Sequence, residues 1–231
     1  MASFSAILSE GSEYVKEGLV EKWQRWIILI VLMIVQGITM CIIPLFNGYL
    51  VRVYGTEGKE AAPEVNDFMR LFLDGWRLNI VAILYMIPAI IIAVVLGVFS
   101  VAPIIAGFLN KGRVDELLGV ILGSFGLLVA GLIFALITLV MYMAFVHFSR
   151  TGSMMDAFSL GQIVGKISNG IGWGYYILMW IIIWIISMVL FVIIMGLNVI
   201  PPLGLIIGAV LGPLWGVFIA RILCTLYDYN L

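Results

Sequence analysis

Three arginines, Arg52, Arg150 and Arg221, stand at the edges of charge-free apolar stretches. A guanidinium is a planar fork of donors that fits phosphate or carboxylate. At a membrane surface such a fork can hold a lipid phosphate or a small anion. The same placement suits plain snorkelling, with the apolar stem at the bilayer edge and the charge in water. His147, the only histidine, lies close to Arg150 in the chain. One imidazole is a poor metal set. The sequence has no Cys/His metal spacing, HExxH, P-loop or paired intramembrane acids. The expectation is therefore no metal, no cofactor and no enzymatic activity. Asp67, Asp74, Asp156 and Asp228 are expected to cap helices or pair with arginine.

A second spacing with a physical consequence is Gly204-x-x-x-Gly208-x-x-x-Gly212-x-x-x-Gly216. Glycines four apart lie near one helix face and let another backbone approach closely. Lipid tails give helices no hydrophobic reason to associate, so dispersion across such a seam must supply the contact. The seam either joins subunits or packs against the protein's own helices. Gly119 and Gly123 form a lesser version. Polar residues inside the apolar runs are few: Gln36, Thr39, Asn47, Ser124, Thr138 and Ser187. Coupled transporters usually need intramembrane carboxylates or lysines, and none is present there.

The elements that must position these residues are membrane helices. Trp26–Val51, Leu78–Asn110, Leu117–Ser149 and Ile167–Ala220 contain no Lys, Arg, Asp or Glu. The chain is 64% hydrophobic and 11% charged, with a mean hydropathy of +1.20. A helical pass needs about 20 apolar residues. These runs are apolar on every face rather than alternating, which selects helices over barrel strands. A net charge of -1 gives no basic footprint for nucleic acid. Cys41 and Cys224 read as small hydrophobes. No short apolar region with a small-residue cleavage site is evident, so the first apolar run is expected to act as an uncleaved insertion signal.

Residues 3–24 read as an amphipathic helix in the membrane interface, with Trp23 and Trp26 at headgroup depth. Trp26–Val51 is long for one pass and short for two. Either one tilted helix crosses, or Pro44 closes a tight hairpin or re-entrant pair. Pro63 could open a helix. Further membrane helices are expected near Leu78–Phe99, Leu118–Phe148, from Tyr175, and over Leu205–Leu226. The region 100–116 reads as a loop or short surface helix, and the Pro201-Pro202 segment as a turn. Pro44-Leu-Phe-Asn-Gly-Tyr-Leu-Val-Arg52 resembles Pro213-Leu-Trp-Gly-Val-Phe-Ile-Ala-Arg221. With Met143–His147 and Arg150 in the middle, this suggests three units near 1–54, 55–150 and 151–231. Each would be an amphipathic interfacial helix followed by a membrane hairpin, giving an all-α integral membrane domain of five to six membrane helices. If every hairpin tip faces out, all basic residues except Lys111 and Arg113 lie inside, as the positive-inside rule requires. Both termini are then cytosolic.

The motifs Glu13–Leu19, Gly48–Arg52, Phe72–Trp76, Ile83–Pro88, Phe148–Gly152, Ala157-Phe158, Gly172–Tyr175 and Ala220-Arg221 together resemble a polytopic membrane family. It is designated domain of unknown function four thousand and thirteen and is commonest in methanogenic archaea. The resemblance runs over nearly the whole chain. It implies an archaeal cell membrane and carries over no catalytic or binding residue. The leading expectation is a non-enzymatic membrane scaffold whose partners are membrane lipids, a second copy or another membrane protein. The alternative is a small-solute transporter or channel.

Overall fold

The computed structural model describes residues 3–58, 60–110, 113–200 and 202–229. Lys59, Lys111 and Pro201 lie outside the described residues, as do the side chains of Pro103, Arg113, Asp115, Glu116 and Gly119. Among the described residues eight α-helices follow one another: α1 Phe4–Val15, α2 Trp23–Ile38, α3 Leu45–Tyr54, α4 Phe68–Asn110, α5 Arg113–Thr151, α6 Leu160–Gly165, α7 Trp173–Leu197 and α8 Leu203–Asp228. Among the described residues there is no strand. Four helical stretches among the described residues are long and apolar enough to cross a membrane: Phe68–Val98, Gly123–Thr151, Trp173–Leu197 and Leu203–Asp228.

The Trp26–Val51 run is not one continuous helix. Thr39 ends α2, and its hydroxyl bonds the carbonyl of Val35 and receives the N–H of Ile43. Met40 and Cys41 take left-handed backbone angles, φ 48° and 62°, and Pro44 begins α3. At 1.5 Å per residue, α2 spans about 24 Å and α3 about 15 Å, each short of a hydrocarbon core of about 30 Å.

Two expectations need correction. The region 100–116 is not a loop up to Asn110. Helix α4 continues through Pro88 and Pro103, because apolar surroundings offer backbone groups no partner except the helix itself. Pro63 does not open a helix either. Residues 60–67 are irregular, and Asp67 (φ 51°) starts α4 by accepting the N–H of Arg70.

The chain divides into two compact units. The first joins residues 1–79 to 143–231. Its centre is α8, which packs on α1, α2, α3 and α7. Ile222, Leu223, Cys224 and Leu226 are fully buried there. The Trp26 indole N–H donates to the carbonyl of Val210 on α8 at 3.0 Å, just before the Pro213 interruption. Trp26 is thus tied to a helix, whereas Trp23 is 60% exposed. Two π-helical turns, Lys16–Val20 and Lys166–Ile171, each lie shortly before a helix that begins with tryptophan, α2 and α7. The second unit, 80–142, holds the rest of α4 and most of α5. One stripe, Val81, Tyr85 and Ala89, is buried, while Ile90, Ile91, Val94, Leu127, Leu128 and Leu132 are exposed. Large apolar side chains exposed this densely suit lipid rather than water.

Candidate functional site

The segment between α3 and α4 is irregular, so its carbonyls have no helical donors and need others. Arginines of α2, α3 and α8 supply them, and Arg150 of α5 holds the last carbonyl of α3 and the Glu57 side chain. Arg25 of α2 donates to the carbonyls of Gly18 (3.0 Å) and Ala62 (2.9 Å). Arg52 of α3 donates to the carbonyls of Glu64 (3.2 Å) and Asp67 (3.3 Å) and to Asn66 Oδ1 (2.8 Å). Arg150 of α5 donates to the Tyr54 carbonyl at 2.9 Å and pairs with Glu57 (3.1 Å) and Asp228 (2.9 Å). Arg221 of α8 donates to the Gly58 carbonyl and pairs with Glu10 at 2.8 Å.

This clasp divides the three arginines that the sequence nominates for lipid or anion contact. The side chains of Arg150 and Arg221 are only 8% and 3% exposed and are committed to protein partners. Arg52 bonds only neutral acceptors and keeps its full charge near solvent. Arg25 belongs to the clasp but was not nominated. Its one sequence signal is being the last charge before an apolar run.

The Arg221 guanidinium also lies over the Tyr14 ring, 4.7 Å from its centroid. The Tyr14 hydroxyl is buried and makes no hydrogen bond among the described residues, although Thr56 is nearby. Burial pushes this phenol up to about 12, from an ordinary value of 10.0. An unfolded tyrosine loses its proton near pH 10, while the folded one holds it until about 12. The stabilisation is therefore complete below pH 10 and is lost between pH 10 and 12. Tyr14→Phe should leave the melting temperature at pH 7 unchanged or slightly raised, since an unpaired hydroxyl is removed. It should also shrink the fall in melting temperature between about pH 9 and pH 11. An undiminished fall would remove Tyr14 as its source.

His147 Nδ1 lies 2.6 Å from the Tyr227 hydroxyl. Among the described residues, no three His, Cys, Asp or Glu side chains could hold a metal ion. Cys224 is buried against the carbonyls of Val53 and Tyr54. Deeper in the apolar runs, side-chain amides link three helices. Gln36 and Asn47 exchange two hydrogen bonds of 3.0 Å. Asn47 donates to Asn79 Oδ1 at 2.7 Å, and Asn79 to the Cys41 carbonyl at 3.3 Å.

The glycine seam on α8 faces several different neighbours. A Cβ on Gly212 would sit 2.6 Å from the Met33 methyl of α2, and one on Gly216 would sit 2.9 Å from the Phe46 ring of α3. A Cβ on Gly204 would meet Asn198 in the preceding turn at 2.5 Å, whereas at Gly208 the nearest atom, on Ile194, is 3.7 Å away. The closest approach in the unit lies elsewhere. A Cβ on Gly48 of α3 would stand 1.8 Å from the Leu71 carbonyl oxygen, and one on Gly75 of α4 would stand 1.9 Å from that of Pro44. The two segments therefore meet backbone to backbone. These are isolated glycines without a repeat, so spacing gave no sign of them.

Three polar clefts border the clasped segment among the described residues, one of them between Glu21–Ile28 and Glu64-Val65. A second, of about 510 Å³, is lined by Glu10, Glu13, Glu17, Glu21 and Glu60 above Arg221. The third, of about 540 Å³, is lined by Arg52, Arg70 and Arg77 together with Glu60, Glu64 and Asp67. No curated protein and no solved structure matches the chain. Residues 28–199 match the family model described as Protein of unknown function (DUF4013), and the chain belongs to that family.

Proposed function

We propose that this protein is a non-enzymatic multi-pass scaffold of the cell membrane, working through lipid contact or partner assembly. The observation that carries this reading is the clasp. Arginines of α2, α3, α5 and α8 converge on the stretch from Tyr54 to Asp67. Neighbouring side chains fill the space at Gly204, Gly212 and Gly216 of α8. Such an arrangement fixes helix ends and keeps the interior of the unit packed. The three-unit, hairpin organisation belongs to the same proposal. It is supported by the matching π-turns before α2 and α7 and by the break between α2 and α3. Both termini and the 52–77 and 149–173 segments are then cytosolic, and the partners are lipids, a second copy or another membrane protein.

A second reading, a path for a small neutral solute, is favoured by the amide chain of Gln36, Asn47 and Asn79. Reconstituted vesicles separate the two. A scaffold leaves the leak of small solutes at the protein-free level. A conducting protein raises it, and Asn47→Leu abolishes the increase. Topology is tested with Cys41 and Cys224 removed and single cysteines at Met155 and Val199, which are 76% and 84% exposed. They should label from opposite sides of the membrane. Labelling from one side would reject the hairpin organisation.

A further inference from the structure

The 540 Å³ cleft is lined by groups of both charges. On α4, Arg70 and Arg77 both contact Asp74, at 3.8 and 3.0 Å. Asp74 is only 7% exposed, while the two arginine side chains are 74% and 55% exposed. Their Cα atoms lie two turns apart, about 10 Å along the helix, yet one buried carboxylate draws both guanidinium groups together. Arg52 adds a third, bonded only to neutral acceptors. Two cations share one carboxylate and the third pairs with none among the described residues, which leaves positive charge available to a guest. The 60–67 segment adds Glu60, Glu64 and Asp67, the last with its carboxylate accepting the Arg70 N–H at the start of α4. Among the described residues none of these three has an ion-pair partner within 4.0 Å.

A simple anion entering this cleft meets carboxylates, and a simple cation meets the guanidinium groups. A molecule with a phosphate at one end and an ammonium at the other meets its complement at both. Depth points the same way. Arg77 is the last charged residue before the charge-free stretch Leu78–Asn110, so in a membrane the cleft sits at headgroup level. We propose that it binds a phosphoethanolamine-type headgroup. The phosphate lies on Arg70, Arg77 and Arg52, and the primary ammonium on Glu60 and Glu64. This rests on the membrane reading above. It names the headgroup chemistry and moves the contact away from Arg150 and Arg221. A primary ammonium brings three N–H donors to the glutamates. A trimethylated ammonium brings none, and a glycerol headgroup brings no cation.

The test uses the full chain in detergent micelles with phosphatidylethanolamine, phosphatidylcholine or phosphatidylglycerol of identical acyl chains. Retained lipid is counted by native mass spectrometry. Phosphatidylethanolamine should be retained about tenfold better than either other lipid, the scale of one charge-assisted hydrogen bond. Arg70→Gln with Arg77→Gln should lower its retention about 30-fold, each arginine near a membrane surface contributing about fivefold. Glu64→Gln removes an exposed, unpaired carboxylate and leaves the fold intact. It should abolish the preference over phosphatidylcholine. Displacement by free phosphoethanolamine would identify a soluble phosphoamine as sufficient. Retention against it would identify the lipid as the source, and either result keeps the chemistry. Equal retention of phosphatidylglycerol and phosphatidylethanolamine, or an unchanged preference in Glu64→Gln, overturns the proposal. A chain that does not float with lipid vesicles overturns the membrane reading itself. One that floats and shows no preference overturns only this site.

Discussion

Gly48→Ala and Gly75→Ala should each remove most of the folded protein recovered in detergent. The added methyl would stand 1.8 Å from the Leu71 oxygen in one case and 1.9 Å from the Pro44 oxygen in the other. Overpacking a core usually costs about 1–3 kcal/mol because side chains can rotate away. Here the obstacle is backbone, so the segments must separate and the cost should reach about 3 kcal/mol or more. Separation also pulls apart Asn47 and Asn79, which bond across the same crossing. Controls are available in helices where a Cβ meets nothing within 4 Å, at Gly97 and Gly131. Alanine there should be neutral or stabilise by about 0.5–1 kcal/mol, since it restricts the unfolded chain. Within the α8 seam, Gly208→Ala should behave like the controls. Gly216→Leu should destabilise, because the Phe46 ring already occupies the space. Melting temperature and monodisperse recovery after size exclusion read the whole series. If Gly48→Ala and Gly75→Ala melt with the controls, the backbone crossing is not as close as described.

The contrast between these glycines shows what a sequence can carry. The α8 seam announces itself by a four-residue spacing, because helix geometry turns that spacing into one face. Gly48 and Gly75 matter just as much, but their partners come from another segment, so no local spacing encodes them. The same division runs through the fold. Helices α7 and α8 are legible to within two residues, because one long charge-free run carries both and the prolines between them set the turn. The extension of α4 to Asn110 was not legible. Pro103 and the glycines nearby are turn signals in water, yet in apolar surroundings the backbone keeps its helix for want of other partners. Pro63 misled for the opposite reason. The segment from Pro63 stays irregular with its carbonyls held by side chains of the preceding helix, Tyr49 on Pro63 and Arg52 on Glu64 and Asp67.

The candidate site divides the same way. The edges of the apolar runs gave the positions of Arg52, Arg150 and Arg221. Their partners were hidden, since Glu10 and Arg221 stand at opposite ends of the chain. Arg70 and Arg77 looked like ordinary cytosolic charges until Asp74, one turn from each, proved to be buried between them.

Glu10→Ala should destabilise the protein more than Arg221→Met, although both remove the same 2.8 Å ion pair. The two partners differ in what they leave behind. The Arg221 side chain is 3% exposed and Glu10 is 38% exposed. Without Glu10 the buried guanidinium keeps, among the described residues, the Gly58 carbonyl and the Tyr14 ring, while Thr225 retains the Arg221 carbonyl as acceptor. Orphaning a buried charge typically costs about 3–5 kcal/mol. Water can enter the space vacated at Glu10, which places the expected loss at the lower end, about 3 kcal/mol. Without Arg221 the remaining carboxylate is reached by solvent, the methionine fills much of the volume, and the main loss is one donor to Gly58. That should cost about 1 kcal/mol. The double variant should therefore be more stable than Glu10→Ala alone, because it no longer holds an unpaired buried cation. Denaturation of all four proteins in one detergent gives the cycle directly. Additive losses, or an Arg221→Met variant as unstable as Glu10→Ala, would mean that the pair is not an energetic unit. The clasp would then rest on its bonds to the 55–67 carbonyls rather than on charge.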